Sequence, residues 1–353
     1  MLLALLVTAL LASLASLLLT RLALGWAARL RFLDRPGSEA HKLQAGAVPY
    51  GGGPAMAVAL ALALVVGLAV FHARPDLLTN GAIPDHGPLW PVFIGAFVLL
   101  GLGAVDDRQA LRARPKLLVQ AMVCAATVWQ GDLAIDSLRA WPVLAYGLAW
   151  GWLVVVSNAY NLLDHADGMA GSCAVVSVAV LLSGSLMGGD AELSLLWTAL
   201  IGVLIGYLWW NRPPARIYMG DAGSLPLGFL IGVGTLSVTF WPQAQGGSPL
   251  ALAVPFLITA IPLFDTTVVV VKRLRRGAPI MQGDRNHISH RLGRLGLSPR
   301  TTLVTVVALH TSLAVGALQL GSGSILSGSL VLLQCAAVLL AVVLIETTRD
   351  HGA

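Results

Sequence analysis

Charge is scarce in this sequence. Asp, Glu, Lys and Arg make up 11% of its 353 residues, whereas a soluble domain usually carries about 25%. Hydrophobic residues make up 57%, and the mean hydropathy is +0.80. So few charges cannot cover the surface of a water-soluble protein of this length. The composition therefore excludes a water-soluble protein and predicts a polytopic membrane protein.

Cysteine is also scarce, and its placement argues against a disulfide-bonded or cysteine-metal protein. Cys124, Cys173 and Cys335 each lie inside an apolar run, where cysteine acts as a small packing residue. We therefore expect neither a disulfide framework nor a cysteine metal site.

The first 20 residues contain no basic residue, whereas a secretory signal begins with positive charge. We therefore expect a retained first span.

Later apolar runs are long enough, or nearly so, to cross about 30 Å of hydrocarbon. The predicted spans are 2–24, 54–72, 88–104, 117–130, 141–157, 172–188, 193–210, 225–241, 250–271, 301–320 and 325–346. This pattern predicts an all-α fold of about eleven transmembrane helices in a single integral-membrane domain, 1–353.

Basic residues are distributed unevenly among the predicted connections. Eighteen of the 22 Lys and Arg residues follow spans one, three, seven and nine, whereas the alternate connections hold Arg74 and Arg139. By the positive-inside rule, the basic connections are cytoplasmic, the N-terminus is outside and the C-terminus is inside. The cytoplasmic segments expected to carry the site are about 25–53, 105–116, 158–171, 211–224 and 272–300.

The segment 158–171 places amides, carboxylates and an imidazole between two apolar runs. Asn158, Asn161 and Asp164 are three residues apart, as are Asp164 and Asp167, so a continuing helix would align them on one face. His165 lies between the two acids. An unpaired acid at the end of a membrane helix costs free energy. The segment is therefore either a solvated acidic loop or a polar site for a phosphate ligand or metal.

Adjacent acids follow the third span. Asp106 and Asp107 repel each other wherever they are partly desolvated, so one holds its proton or both need a cation. Lys116 begins the next span and either joins this site or extends to phosphate headgroups. Plain capping of a helix end is the alternative reading for the acids.

The segment 211–224 begins with Asn211 and contains a glycine-bracketed carboxylate. Gly220 and Gly223 allow a tight turn beside Asp221, which could direct N–H groups at a phosphate while the carboxylate binds Mg²⁺. An ordinary turn explains the same pattern. Tyr218 could stack on a nucleobase or anchor the chain at the membrane interface.

A compact cationic cluster follows the ninth span. His287, His290 and Arg291 lie within five residues, and this residue set suits phosphate recognition better than zinc. A positive loop with incidental histidines is the alternative.

Four motifs occur together and in order: V-D-D-R followed by P-K-L-L, N-A-x-N-x-x-D-x-x-D-G, N-x-x-P-A-x-x-x-M-G-D-x-G-S and D-R-N-H-I-x-H-R. Over about the first 300 residues the sequence resembles the polyprenyl-phosphate N-acetylhexosamine-1-phosphate transferase family. It departs from the family where His165 replaces a common Gly and Ser289 a common His. A third departure lies in the first connection, where the usual basic pair and His appear as His41, Lys42 and Gln44.

The resemblance implies transfer of a sugar 1-phosphate from a UDP-N-acetylhexosamine to polyprenyl phosphate, at the cytoplasmic face of the inner membrane. It implies Mg²⁺, with Mn²⁺ as the alternative ion, and no nucleic acid; a homodimer stays open. The implied metal ligand is Asp221, and the implied catalytic residues are Asp106, Asp107 and Lys116. The implied nucleotide-sugar contacts are Asn161, Asp164, His165, Asp167, Asn211, Tyr218, His287, His290 and Arg291.

Two alternatives to this reaction require features that the sequence lacks. The muramoyl-pentapeptide translocase branch of the same family carries a triple-histidine run, which this sequence lacks. An ion-coupled transporter would carry polar groups near the bilayer midplane, often in inverted repeats. The acids here cluster at one predicted membrane face, and no repeat is visible.

Overall fold

The computed structural model describes residues 2–29, 33–34, 47–73, 87–238, 249–279, 286–320 and 324–350. The motif residues His41, Lys42, Gln44, Asp284 and Arg285 lie outside these ranges, as does Arg74.

Helices account for most of the described chain. Their bounds are α1 Leu2–Arg29, α2 Gly52–Ala73, α3 Trp90–Asp106, α4 Ala113–Gln130, α5 Pro142–Leu163, α6 Met169–Gly188, α7 Ala191–Asn211, α8 Asp221–Ser237, α9 Val254–Ile258, α10 Ala260–Arg275, α11 Ile288–Arg294, α12 Pro299–Leu320 and α13 Ile325–Asp350. Two 3-10 turns, Asp136–Leu138 and Pro249–Ala253, precede α5 and α9. Strands β1, Leu33–Asp34, and β2, Val48–Pro49, form an antiparallel pair.

The predicted all-α membrane class is confirmed, since each predicted span overlaps a helix. Among the described residues, seven helices are long and apolar enough to cross a membrane, or eight if the bent pair α9–α10 is one span. Helix α3, with 17 residues, is shorter. Eleven crossings and the orientation of the chain remain predictions.

The bend between α9 and α10 has a local cause. Pro262 has no backbone N–H, and its ring clashes with the carbonyl four residues earlier, that of Ile258. Helix α9 ends at Ile258, and the chain turns by 73° before continuing as α10. The freed carbonyl of Ile258 accepts a 2.6 Å hydrogen bond from the hydroxyl of Ser177 on α6. The break is therefore satisfied inside the protein, as a membrane interior requires.

Helix α8 lies at the centre of the bundle. It packs mainly against α3 and α5, with further contacts from α2 and α6. Most of its residues are buried, from Ala222 through Thr235. Helix α1 instead packs along α7, where its apolar side chains on the other face remain exposed to the surroundings. The central position of α8 fixes where its first residue, Asp221, lies.

The chain before α2 docks against the segment that precedes α8. Tyr50 and Tyr218 form a parallel β-bridge, and the backbone nitrogens of Gly52 and Gly53 donate to the carbonyls of Tyr218 and Met219 at 3.0 and 3.1 Å. A Cβ on Gly53 would lie 2.4 Å from the backbone nitrogen of Gly223. The glycines at the start of α2 therefore permit a backbone contact with the start of α8.

The described parts of the five polar segments lie together at one end of the bundle. The ends of α3, α5, α7 and α10 meet the beginnings of α4, α6, α8 and α11 there. Helix α5 continues through Asn158 and Asn161, as the three-residue spacing predicted, but it ends at Leu163. Asp167 therefore lies beyond the helix, and the single helical face predicted to extend that far was wrong.

Candidate active site

Asp221 begins α8, and Asp107 caps the same helix. Gly220 is the N-cap residue, with φ at +64°. The Asp107 carboxylate accepts hydrogen bonds from the backbone nitrogens of Asp221 and Ala222, at 2.8 and 3.1 Å. A Cβ on Gly220 would lie 2.4 Å from Oδ2 of Asp107, so glycine is required both for the backbone angle and for this approach. The turn does present backbone N–H groups, as predicted, but they donate to the Asp107 carboxylate.

Lys116 lies between two carboxylates from different parts of the chain. Its Nζ is 2.9 Å from Oδ2 of Asp106 and also contacts Oδ2 of Asp221. The other oxygen of Asp106 accepts a 2.6 Å bond from the backbone nitrogen of Leu111. The side chain is mostly buried. Lys116 therefore points into the acidic site, which argues against the alternative that it extends to headgroups.

Asn161 orients the second oxygen of Asp221. Its Nδ2 donates to Oδ1 of Asp221 at 2.8 Å and to Oγ of Ser224 at 2.9 Å. One turn earlier on α5, Asn158 donates to Oε1 of Gln120 on α4 at 2.6 Å. The amides of α5 thus connect α4, α5 and α8 around the carboxylates.

Burial and, for two of them, neighbouring carboxylates raise the pKa values of the acids in the connections. Burial, then the charge of Asp221, raises the pKa of Asp107 to about 7. Burial, followed by the charges of Asp221, Asp107 and Asp167, raises the pKa of Asp164 well above its usual range. Burial also raises the pKa of Asp167. The ionised forms of Asp107 and Asp164 are therefore disfavoured here, and a cation beside them would stabilise those forms.

Asn211 and Asp167 make contacts within the protein. Oδ1 of Asn211 accepts from the backbone nitrogen of Gly168 at 2.9 Å, and its Nδ2 donates to the carbonyl of Ile217 at 2.8 Å. Oδ2 of Asp167 accepts from the backbone nitrogen of Ala215 at 2.8 Å. These bonds tie the connection after α5 to the segment before α8. They support the walls of the site, and a nucleotide role for either residue stays a prediction.

Three histidines lie together beside the acid cluster. The rings of His165 and His287 are stacked with centroids 4.2 Å apart, and His290 lies 5.6 Å from His165. Nδ1 of His165 is 2.9 Å from the carbonyl of Leu162, and Nε2 is 2.6 Å from Oγ of Ser289. Since a carbonyl only accepts, Nδ1 carries the proton and Nε2 accepts from the Ser289 hydroxyl. Burial lowers the pKa of His165 to about 3, so this ring is neutral.

Asp265 is the site residue that sequence reasoning missed. It lies on α10, is 1% exposed, and its Oδ2 is 2.7 Å from Nδ1 of His287. Oδ1 accepts from the backbone nitrogen of Ile288 at 2.6 Å and from Nη2 of Arg291 at 3.3 Å. The available signal was a single carboxylate inside an apolar run, which in a membrane segment indicates a functional or paired group.

His165, Asp265 and His287 each offer an atom within 4.8 Å of the others, which is close enough to consider a metal. Both ring nitrogens of His165 are already hydrogen-bonded, however, and Nδ1 of His287 faces the Asp265 carboxylate. Hydrogen bonds and ring stacking account for this geometry, and phosphate recognition by the cluster stays a prediction.

Apolar helices long enough to span a bilayer, with acids, a lysine and histidines gathered at their ends, define a multi-pass membrane protein with a charged site at one face. The sequence model of the family described as Glycosyl transferase family 4 matches residues 89–239, which include the acid cluster and Lys116. Asp265 and the histidines at 287 and 290 lie outside that match.

Named relatives cover more of the chain. A Bacillus subtilis protein named "Probable undecaprenyl-phosphate N-acetylglucosaminyl 1-phosphate transferase" is 31% identical over 268 residues, covering 73% of each chain. An Escherichia coli K12 protein named "Undecaprenyl-phosphate alpha-N-acetylglucosaminyl 1-phosphate transferase" is 29% identical, covering 71% of this chain and 70% of the relative. A Mycobacterium leprae protein named "Decaprenyl-phosphate N-acetylglucosaminephosphotransferase" is 26% identical, covering 79% and 78%. The chain belongs to glycosyl transferase family 4, as its four motifs predicted.

Proposed function

We propose that this protein transfers N-acetylglucosamine 1-phosphate from UDP-N-acetylglucosamine to undecaprenyl phosphate at the cytoplasmic face of the inner membrane. The supporting observation is that Asp106, Asp107, Lys116 and Asp221 meet in one site at the ends of apolar helices. The relatives' names supply the substrate classes. A lipid acceptor with its phosphate at the surface and its chain in the bilayer requires a site at this depth.

The reaction exchanges one phosphoric anhydride bond for another. An oxygen of the lipid phosphate attacks the phosphorus that carries the sugar, and the bond from that phosphorus to the UMP oxygen breaks. UMP leaves with the electron pair, and the lipid retains a pyrophosphate-linked sugar. Because a phosphate monoester is largely ionised near neutral pH, with a second pKa of about 6, the acceptor needs positioning and charge compensation more than a base.

The acid cluster fits a magnesium ion, with manganese as the alternative. Mg²⁺ prefers one or two carboxylates together with substrate phosphates and water, and Asp221 with Asp107 offers such a set. Burial and neighbouring carboxylates raise the pKa values of Asp107 and Asp164, and a cation would favour their ionised forms. When bound, Mg²⁺ supplies charge compensation where the two phosphates meet. Lys116 orients Asp221 and adds a positive charge beside it.

A cavity of about 400 Å³ suits the acceptor phosphate. It opens beside Asp107 and is lined by Pro54, Ala104, Val105, Asp107, Arg108, Gln109 and Ala222. Its apolar residues belong to the ends of α2 and α3, whose other exposed side chains include Val58 and Phe97. Arg108 supplies a cation at its rim. His287, His290 and Arg291 would receive the diphosphate of the nucleotide sugar.

Release of UMP tests the proposal. The purified protein in detergent should release UMP when UDP-N-acetylglucosamine and undecaprenyl phosphate are both present with Mg²⁺. Omitting either substrate should abolish release. Replacement of the donor by the muramoyl-pentapeptide nucleotide tests the other branch of the family. Release without the lipid phosphate, or none with any UDP-sugar, would overturn the assignment.

A further inference from the structure

Helix α11 carries the cationic motif but is short and depends on its neighbours for position. It runs from Ile288 to Arg294, and two elements hold its beginning. Asp265 on α10 contacts the His287 ring, the backbone nitrogen of Ile288 and the Arg291 guanidinium. His165 contacts the Ser289 hydroxyl from the connection after α5. One carboxylate therefore meets three groups of the motif.

This carboxylate is built into the protein rather than exposed on it. Asp265, His287 and Arg291 are 1%, 4% and 3% exposed. An ionised carboxylate buried to this degree is stable only when hydrogen-bonded or paired with cations, and all three of its contacts are donors. Both oxygens of Asp265 accept hydrogen bonds, and the side chain is closed off from solvent. Its chemical effect has to pass through the groups that it holds.

The effect on His287 follows from the donor rules. A carboxylate accepts, so Nδ1 of His287 carries a proton toward Asp265 and Nε2 is the nitrogen that remains for another partner. The Asp265 contact therefore fixes both the tautomer and the orientation of the His287 ring, which stacks on His165 with centroids 4.2 Å apart.

We propose that Asp265 is a positioning residue of the transferase, which fixes the orientation and tautomer of His287 and sets Arg291 beside it on the donor side of the site. This inference rests on the proposed function for its substrate, but the geometry of the Asp265–His287 pair does not depend on that assignment. Asp265 itself does not contact the substrate. Its role is to present the cationic face of α11.

Kinetics with the Asp265→Asn variant test the proposal. Asn keeps an acceptor for Ile288, but its amide donates toward Nδ1 of His287, which reverses the tautomer and removes the stabilising charge. We expect kcat/KM for UDP-N-acetylglucosamine to fall about 10- to 100-fold, the range typical of residues that orient a contacting group, while KM for undecaprenyl phosphate stays within about 2-fold.

A double substitution separates positioning from a general structural role. In a His287→Gln background, Asp265→Asn should reduce kcat/KM for the donor by less than about 3-fold, because the His287 ring is gone and the Asn oxygen can still accept from Ile288 and Arg291. An equal loss in both backgrounds, or a loss that affects both substrates alike, would overturn the proposal. Asp265→Glu, which retains the charge, should recover part of the activity.

Histidine NMR provides a readout independent of activity. With ¹⁵N-labelled histidine and assignment through His287→Gln, the wild-type protein should show His287 protonated at Nδ1, and Asp265→Asn should shift the neutral ring to the Nε2-protonated form. The same tautomer in both proteins would overturn the pairing. If wild-type protein released no UMP while this shift occurred, the proposed function would fail and the Asp265–His287 pair would stand.

Discussion

The carboxylate of Asp107 accepts a 2.8 Å hydrogen bond from the backbone nitrogen of Asp221, whose own carboxylate is the candidate metal ligand. One acid thus caps the helix that presents the other. The partial positive charge of a helix N-terminus stabilises a carboxylate there, yet burial and the nearby charge of Asp221 raise the pKa of Asp107 to about 7. This opposition makes the site sensitive to both protons and cations.

The first prediction concerns pH and stability. An Asp with an unfolded pKa of about 4 and a folded pKa of about 7 binds more protons in the folded state between those values. Its contribution to stability therefore falls as pH rises through that window. We expect the Tm of the wild-type protein to fall between about pH 5 and pH 7.5, and to fall less in Asp107→Asn.

Thermal unfolding in detergent, followed by intrinsic tryptophan fluorescence, measures this slope. Asp136→Asn is the matched control, because Asp136 is an exposed acid distant from the site. Equal slopes in wild type and Asp107→Asn would contradict the assigned pKa. Asp164 contributes in the same direction, so the slope of Tm against pH should be smaller still in the double variant Asp107→Asn with Asp164→Asn.

The second prediction concerns Asp221 as the metal ligand. Asp221→Asn removes one charge and little volume, and the amide oxygen can still accept from Asn161. We expect UMP release to fall by about 10²-fold or more, and the increase in Tm produced by Mg²⁺ in the wild type to disappear. Wild-type turnover at limiting Mg²⁺, or an unchanged Mg²⁺ effect on Tm, would reject the metal assignment.

The third prediction concerns Lys116 as the cation between Asp106 and Asp221. Lys116→Met retains much of the side-chain length but removes the charge. The partly buried carboxylates of Asp106 and Asp221 then repel each other without a cation between them. Transfer should fall by about 10²-fold or more while the protein remains folded. Arg114→Gln is the control, because Arg114 is a neighbouring basic residue that is exposed. Similar losses in both variants would indicate a general effect of surface charge.

The fourth prediction concerns His165, whose ring faces the histidine cluster instead of the headgroups. His165→Gly removes the stacking partner of His287 and the acceptor for Ser289. We expect relative kcat/KM for UDP-N-acetylglucosamine against UDP-N-acetylgalactosamine to change by about 10-fold, an effect of roughly 1–3 kcal/mol. Competition between the two donors at fixed lipid acceptor measures the ratio. Ser289→Ala removes the hydrogen bond but leaves the His165 ring in place, and should change the donor ratio less. An unchanged ratio in His165→Gly would make the role of His165 purely structural.

The fifth prediction concerns orientation. Cysteine at Gln109, exposed beside the site, should resist an impermeant thiol reagent in intact cells, whereas cysteine at Asp136, in the connection between α4 and α5, should react. The three native cysteines are buried and can be replaced by alanine or serine first. Labelling of position 109 from outside would reverse the predicted topology and place the site on the other face.

The sequence alone determined the membrane class, the approximate position of each helix and the four motifs, because hydrophobic run length and local spacing are properties of contiguous residues. It also indicated which acids, lysine and histidines belong to one site. Only the tertiary structure decided how they pair. Lys116 reaches Asp221 across 105 residues of chain, and Asp107 caps the helix that begins at Asp221. Asp265 had no motif around it, and its role became visible only when α10 brought it against His287. Such contacts depend on helix packing, in which distant residues meet across a bundle, and the spacing within any one segment does not encode them.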